Sequence, residues 1–127
     1  MKKFLKIILI TTLLTSPVYS AGSSSSGNGT DPKIKANTPF YSATIRIKKA
    51  KKLEKKGKIE KSKKLYNEAL KYLYKANKEK PLDPDILNYL GFANRKVDNF
   101  KDAEIYYLMG LEIDPKHVGI NEYLGEL

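Results

Sequence analysis

The sequence has no cysteine, no tryptophan and one histidine among its 127 residues. Without cysteine the chain can form no disulfide and no thiolate metal site, and it has neither a cysteine nucleophile nor a cysteine for a lipid anchor. The single histidine, His117, leaves little scope for histidine-based metal binding or acid–base catalysis. No residues form a convincing catalytic set, so we expect a protein that is not an enzyme and holds no metal or cofactor.

The N-terminal segment, residues 1–20, has the layout of a secretory signal peptide. Three lysines precede an uncharged, mostly apolar run over residues 7–16, a proline ends the run, and small residues follow at Ser20 and Ala21. The run is about half of the ~20 residues needed to cross a bilayer, so a retained N-terminal membrane anchor is the weaker alternative. We expect cleavage after Ser20 or Ala21 and export to the periplasm or cell envelope of a bacterium.

The rest of the chain divides into a linker and one domain. Residues 21–37 are rich in serine and glycine and have little apolar surface to bury, which predicts a disordered linker. From residue 38 to residue 127 the apolar residues follow helical spacing, which predicts an all-α domain.

A sequence repeat runs through this domain. Shifting the sequence by 34 aligns Tyr66 with Phe100, Ala69 with Ala103, Leu73 with Tyr107, Pro81 with Pro115, and Leu90-Gly91 with Leu124-Gly125. So many matches of chemical type at one offset indicate a repeat architecture. On this alignment, we expect Phe100 and Tyr107 to fill the space between two helices.

One stretch contains a more specific motif, which reads Leu87-x2-Leu90-Gly91, then Ala103-x3-Tyr107, then Pro115. It resembles the tetratricopeptide repeat, and the resemblance covers about residues 39–127. The resemblance implies an α-α superhelix of helix hairpins with a single capping helix at its C-terminal end. Asn94 stands where the family has tyrosine, which predicts looser packing at that position.

Helix boundaries follow from pairs of a capping residue and a proline, at Thr38-Pro39, Asp83-Pro84 and Asp114-Pro115. They predict a first hairpin over residues 38–80, a second over 84–113, and a capping helix or partial third repeat over 115–127. In the first hairpin, Gly57 fits the turn between helices. After Gly57 the residues on one helix face form a continuous stripe: Ile59, Ser62, Tyr66, Ala69, Leu73 and Ala76. This stripe predicts one helix from about residue 58 to 80, which is seven residues longer than the second helix of a tetratricopeptide repeat usually is.

Charge is distributed unevenly along the chain. Residues 33–80 contain 17 basic and 4 acidic residues, whereas residues 81–127 contain 4 and 9, and the formal net charge is +10. The basic part is either a surface for anionic envelope polymers and membranes or, more plainly, a solvated lysine-rich helix face. The basic unit, residues 33–80, can also dock on the acidic unit, residues 81–127, within one chain or between two, so self-association that depends on ionic strength is a further hypothesis.

Arg46 and Arg95 are the only arginines in the sequence, so we expect no specific nucleic-acid binding.

The resemblance also implies a function. In tetratricopeptide repeats the first helix of each repeat lines a concave groove that receives a peptide or helix of a partner. The matching positions in this chain are Ile47, Lys51, Glu54, Asn88, Phe92, Arg95, Lys96 and Glu122. Asn88 and Phe92 either contact a ligand or support packing between repeats. The implied function is a non-catalytic scaffold for protein–protein interaction, and a basic adaptor for anionic polymers or membrane surfaces is the alternative.

Overall fold

A computed structural model describes residues 36–125, and the expected signal peptide, nearly all of the expected linker and the last two residues lie outside this range. The described residues form five α-helices and no strand: α1 (Pro39–Lys55), α2 (Ile59–Glu79), α3 (Pro84–Lys96), α4 (Phe100–Ile113) and α5 (Val118–Leu124). Helices α1 and α2 form one hairpin, α3 and α4 form a second, and α5 packs against both α4 and α3. The predicted all-α fold of stacked helix hairpins is confirmed. Among these helices, none combines the length and apolarity that a membrane span requires.

Two of the three predicted helix starts are capped as expected. The Thr38 hydroxyl accepts a hydrogen bond from the amide of Tyr41 at 3.1 Å, and the Asp83 carboxylate accepts from the amide of Asp85 at 3.0 Å. In each case a proline occupies the first helical position, where no backbone donor is needed.

The third predicted start, at Pro115, is wrong by three residues. The amide of Asp114 still donates to the carbonyl of Gly110, so this residue closes α4 instead of opening α5. The chain must then turn before a new helix can begin. His117 caps α5, because its Nδ1 accepts from the amide of Ile120 at 3.2 Å.

Helix α2 is unbroken, as its continuous apolar stripe predicts, and Gly57 provides the turn before it with a positive φ of 71°. α2 has 21 residues and α4 has 14, so α2 carries the seven extra residues. Counted from the first residue of each helix, the buried positions of α2 and α4 coincide: Ser62 with Ala103, Tyr66 with Tyr107, and Ala69 with Gly110.

The first residues of α2 and α4 are therefore farther apart in the sequence than the last residues of these two helices. The end of α2 at Glu79 corresponds to the end of α4 at Ile113, at the shift of the sequence repeat, but the start of α4 at Phe100 corresponds to Ile59. Phe100 thus aligns with Ile59 and not with the buried Tyr66, and the Phe100 and Ile59 side chains are 54% and 45% exposed. The expectation that Phe100 fills the space between helices is wrong, whereas Tyr107 is fully buried as expected.

An apolar core of two adjoining clusters runs along the stack, one formed by α1, α2 and α3 and the other by α4 and α5. Its fully buried large side chains include Tyr66, Leu73, Leu87, Leu90, Tyr107 and Ile120. The second hairpin packs so closely that a Cβ atom at Gly91 would collide with the Tyr107 ring, and one at Gly110 would collide with Ile120. At Gly91 the Tyr107 ring would have to move before any side chain fits, whereas at Gly110 the colliding atom is the end of the flexible Ile120 side chain.

The packing around Asn94 is not loose. This side chain is completely buried, and its amide nitrogen donates to the carbonyl of Leu90 at 2.9 Å and to the hydroxyl of Tyr74 at 3.4 Å. Its Oδ1 accepts from the side chain of Asn99 at 3.2 Å. The expectation of looser packing is therefore wrong, because Asn94 forms a hydrogen-bonded link between α2, α3 and the turn before α4.

Candidate protein-binding groove

The odd-numbered helices lie side by side along one face of the molecule. The rings of Phe40 in α1 and Tyr89 in α3 meet edge to face with centroids 5.4 Å apart. Phe92 in α3 and Tyr123 in α5 are in contact with centroids 5.1 Å apart. We call this surface the α1–α3–α5 face. It contains the first helix of each hairpin, where the tetratricopeptide resemblance predicts a groove.

Five of the eight predicted groove residues converge at one point of this face. The ammonium group of Lys51 lies 4.4 Å from the centroid of the Phe92 ring, and the cationic groups of Lys96 and Arg95 lie 5.6 and 5.7 Å from the same centroid. The fifth residue is Glu54. Three cations within reach of one aromatic ring make this part of the face strongly electropositive.

Glu54 is the acidic partner within this cluster. Its carboxylate accepts hydrogen bonds from Lys96 at 2.7 Å and from the Tyr66 hydroxyl at 2.9 Å. Burial alone would raise the pKa of Glu54, but the bonds from Lys96 and Tyr66 outweigh it and hold this pKa below its usual value. Burial and the bond to Glu54 together raise the pKa of Tyr66, so its hydroxyl stays a donor.

Lys51 has no such compensation. Burial, followed by repulsion from Lys96, lowers the pKa of Lys51, and the attraction of Glu54 opposes this only in part. Lys51 is nonetheless exposed to solvent, which screens this effect, and a bound anion would raise its pKa again. An electropositive site of this kind favours a carboxylate.

The remaining three predicted residues lie apart from the cluster. Ile47 is only 2% exposed, so it belongs to the core and not to the groove surface. Asn88 is partly buried, with its side-chain amide packed against Gly119 of α5, and its Oδ1 makes no hydrogen bond within the described part of the chain. Glu122 is exposed on α5. The structure therefore brings the charged groups of Lys51, Glu54, Arg95 and Lys96 together around Phe92, whose own ring is buried in the core and supports the cluster from below.

Tyr123 lies on the same face, although it is not among the eight residues that the resemblance predicts for the groove. Its ring contacts Phe92, stacks on Tyr107 at 6.3 Å, and lies 5.5 Å from the guanidinium of Arg95. The repeat contained a signal for it. Tyr123 aligns with Tyr89 at the same shift that aligns Leu124 with Leu90, and Tyr89 lies on the same face.

A cleft of about 270 Å³ adjoins the cluster at the hairpin turns. It shares Glu54, Arg95 and Lys96 with the groove, and its outer wall contains the half-exposed side chains of Ile59 and Phe100. The charged cluster thus lies next to a partly apolar cleft. Such an arrangement suits a ligand in which an acidic side chain is followed by an apolar one.

Among the described residues, one ion pair joins a basic residue of the first hairpin to an acidic residue of the second, as the uneven charge distribution predicts. Lys63 of α2 pairs with Asp98 of the α3–α4 turn at 2.6 Å. The pair between Glu54 of α1 and Lys96 of α3 has the opposite polarity. Charged pairs of both polarities therefore link the hairpins, together with the apolar cluster that α3 shares with α1 and α2.

Within residues 36–125, no group of three histidine or acidic side chains is placed to bind a metal ion. The chain matches no protein-family model, and no curated protein or solved structure is significantly similar to it. The role of the α1–α3–α5 face therefore follows from its own geometry.

Proposed function

We propose that this chain is an exported, tetratricopeptide-like scaffold without catalytic activity, which holds a protein partner in the periplasm or cell envelope. The observation that carries this proposal is the convergence of Lys51, Arg95 and Lys96 on the Phe92 ring. The sequence repeat and the stacked hairpins support a repeat protein, whose exposed helix faces serve to bind other chains.

The chemistry of the cluster favours an extended acidic segment of the partner. A carboxylate near Lys51 would compensate the charge that burial and neighbouring cations disfavour. The cleft beside Ile59 and Phe100 accommodates an apolar side chain one or two residues away from the acidic one.

The test compares two peptides that differ in one charge, one carrying a glutamate and one a glutamine at the same position. Calorimetry is expected to show about tenfold tighter binding of the acidic peptide, which corresponds to about 1.4 kcal/mol. Lys51→Gln is expected to remove most of this difference, whereas Lys71→Gln on the exposed side of α2 leaves it unchanged. Equal affinity for both peptides would contradict the proposal.

A second readout follows the ammonium group itself. The pKa of Lys51 is lowered by burial and by Lys96, so a bound carboxylate is expected to raise it again. NMR titration of the lysine side chains measures this shift, with Lys71 as the internal reference. Alanine at Phe92 is a poor probe, because that ring is 4% exposed and its loss would damage the core.

The partner can be identified by photocrosslinking in the native envelope. A photoreactive residue in place of Lys51 is expected to capture a defined protein, and the same residue in place of Lys71 is expected not to. Capture of the same proteins from both positions would indicate nonspecific contact and would contradict a groove-bound partner.

A second function, a basic adaptor for anionic envelope polymers or membrane surfaces, has one observation in its favour. Residues 33–80 contain 17 basic and 4 acidic residues, and most of the lysines of α1 and α2 are exposed. Binding to anionic vesicles that falls steeply between low and moderate salt would favour this adaptor. Salt-tolerant binding of a protein that depends on Lys51 would favour the scaffold.

Specific nucleic-acid binding has little support. The guanidinium of Arg46 bonds the carbonyl of Ser42 at 2.9 Å and stacks on Tyr72 at 4.1 Å, and Arg95 lies over Phe92 and Tyr123. Both arginines are thus occupied by the fold, and lysines alone do not discriminate between bases.

A further inference from the structure

Helix α4 carries a partly apolar stripe on the side away from the core. Ile105 and Leu108, one turn apart, are 46% and 47% exposed. Glu104 and Glu112 are exposed beside them, and one lysine, Lys101, lies at the beginning of the helix. We call the surface formed by Glu104, Ile105, Leu108 and Glu112 the tail face.

The first hairpin shows which element packs on the equivalent surface of α2. In the first hairpin the equivalent of Leu108, one repeat earlier, is Tyr74 of α2. Tyr74 contacts Tyr106 of α4, with ring centroids 6.3 Å apart, so this position of α2 is where the following hairpin packs. None of the five described helices occupies the corresponding place beside Leu108, which leaves the tail face open to a further helix hairpin.

A complementary surface lies on α1. Tyr41, Ile45, Lys49 and Lys52 recur at intervals of four and three residues, so they share one side of the helix. Ile45 is 42% exposed, and both lysines are exposed beside it. We call this surface the head face. The head face has a small apolar patch beside positive charges, whereas the tail face has an apolar patch beside negative charges.

We propose that the chain binds a second copy of itself head to tail, with the head face of one copy on the tail face of the next. Each contact would pair Ile45 with the apolar stripe of α4 and bring lysines of α1 to the two glutamates. A two-fold contact between like faces would instead oppose lysine to lysine or glutamate to glutamate. Two copies joined by one such contact leave a head face and a tail face free, so assembly continues beyond a dimer, into a ring if the rotation between copies closes and into a filament if it does not.

This assembly leaves the α1–α3–α5 face open, because Lys51 and Ile45 lie on different sides of α1. The proposal is therefore independent of what that groove binds. Repeated copies along one assembly would present several grooves to one partner, which increases overall binding strength without any new contact.

Sedimentation equilibrium of the full chain is the primary test. At low ionic strength the weight-average mass is expected to rise with protein concentration past that of a dimer. At about 0.5 M salt it is expected to return toward the monomer, because salt screens the exposed charges. A monomer at every concentration up to about 1 mM, or a mass that stops at the dimer, would overturn the proposal.

Charge-reversal variants test which faces are used. The head variant is Lys49→Glu with Lys52→Glu, and the tail variant is Glu104→Lys with Glu112→Lys. Each alone is expected to weaken association by about tenfold or more, because like charges then meet. An equimolar mixture is expected to restore assembly, since each variant then finds opposite charge on the other.

The matched control is Lys71→Glu with Lys75→Glu, which changes the same amount of charge on the exposed side of α2 and is expected to leave association unchanged. All substituted residues are exposed, and circular dichroism verifies that each variant keeps its helices. Unchanged assembly of the head or tail variant alone, or no recovery in their mixture, would overturn the proposal.

Discussion

The two hairpins use different small residues where their helices pack closely against neighbouring elements. At equivalent positions the first hairpin has Ala50 and Ala69, and the second has Gly91 and Gly110. The first hairpin buries its apolar stripe along a long second helix of 21 residues, and the hydroxyl of Ser62 bonds the carbonyl of Ala50 at 3.0 Å. The second has a shorter helix, and its glycines let Tyr107 and Ile120 lie directly against a helix backbone.

The comparison shows how one architecture tolerates two very different sequences. A long helix gives the first hairpin enough buried surface to support a lysine-rich exterior. The second hairpin depends on close contacts with α5, the element that also places Tyr123 in the groove. Changes in the second hairpin should therefore disturb stability and the groove together, whereas changes in the first should disturb them separately.

The largest expected effect is at the closest contact of the second hairpin. Gly91→Ala is expected to lower the free energy of unfolding by about 2 kcal/mol, because the new methyl group collides with the Tyr107 ring. Urea denaturation measures the change. Gly125→Ala is the control, since a Cβ atom there meets nothing closer than 3.6 Å. In the first hairpin, Ala50→Gly is expected to cost about 1 kcal/mol for a different reason, the added backbone entropy.

Asn94→Ala tests the polar link between the hairpins. It removes the side-chain bonds to Leu90, Tyr74 and Asn99 from a fully buried position, so we expect a loss of about 2 kcal/mol in the free energy of unfolding. Asn67→Ala in the first hairpin removes an exposed bond to a backbone carbonyl and is expected to change stability by less than about 0.5 kcal/mol. Similar losses for the two variants would contradict the role assigned to Asn94.

His117→Ala removes the cap of α5 and also the contact of Nε2 with the exposed Asp85 carboxylate of α3 at 3.0 Å, and we expect it to cost about 1 kcal/mol. The loss should be local, so hydrogen exchange at the amide of Ile120 is expected to accelerate while exchange in α2 is unchanged. His117→Asn retains a capping acceptor and should recover most of the protection. Uniform acceleration across both hairpins would show that α5 is not a separate unit.

The smallest effect concerns the pair that joins α1 to α3. The pKa of Glu54 is lowered in the folded chain despite its partial burial, mainly by Lys96 and Tyr66. Its contribution to stability is therefore present above its ordinary pKa of 4.5 and is lost as the pH falls through the lowered value.

Because the Glu54 side chain is 35% exposed, solvent screens this contribution, and we expect at most about 0.5 kcal/mol. Glu54→Gln should flatten this part of the pH profile of unfolding, and Glu79→Gln, an exposed residue at the end of α2, should not. A profile that Glu54→Gln leaves unchanged would contradict the assignment.

Much of this fold could be predicted from local chemistry. The proline and capping pairs at Thr38 and Asp83 mark helix starts, and Gly57 marks a turn, because each acts on the backbone next to it. Helical spacing of apolar residues identifies the continuous α2. Local chemistry was not sufficient at α5, where Asp114 and Pro115 carry the same pattern but Asp114 still belongs to α4.

The candidate site was predictable in part. The tetratricopeptide resemblance pointed to the residues that meet at Phe92, because in that family the first helices of the repeats share a face. It also included Ile47, which the core buries, and it omitted Tyr123. Whether a side chain on a helix points to the core or to the groove depends on which neighbours pack beside that helix, and a single chain's periodicity does not specify this.

The sequence by itself determined an all-α chain of helix hairpins with a lysine-rich first half, because periodicity, capping and charge are properties of short segments. Tertiary structure decided that three cations share one aromatic ring, that Asn94 is bonded instead of loosely packed, and that Phe100 is exposed. These outcomes depend on how helices far apart in sequence approach each other, and that approach is set by contacts such as Gly91 with Tyr107.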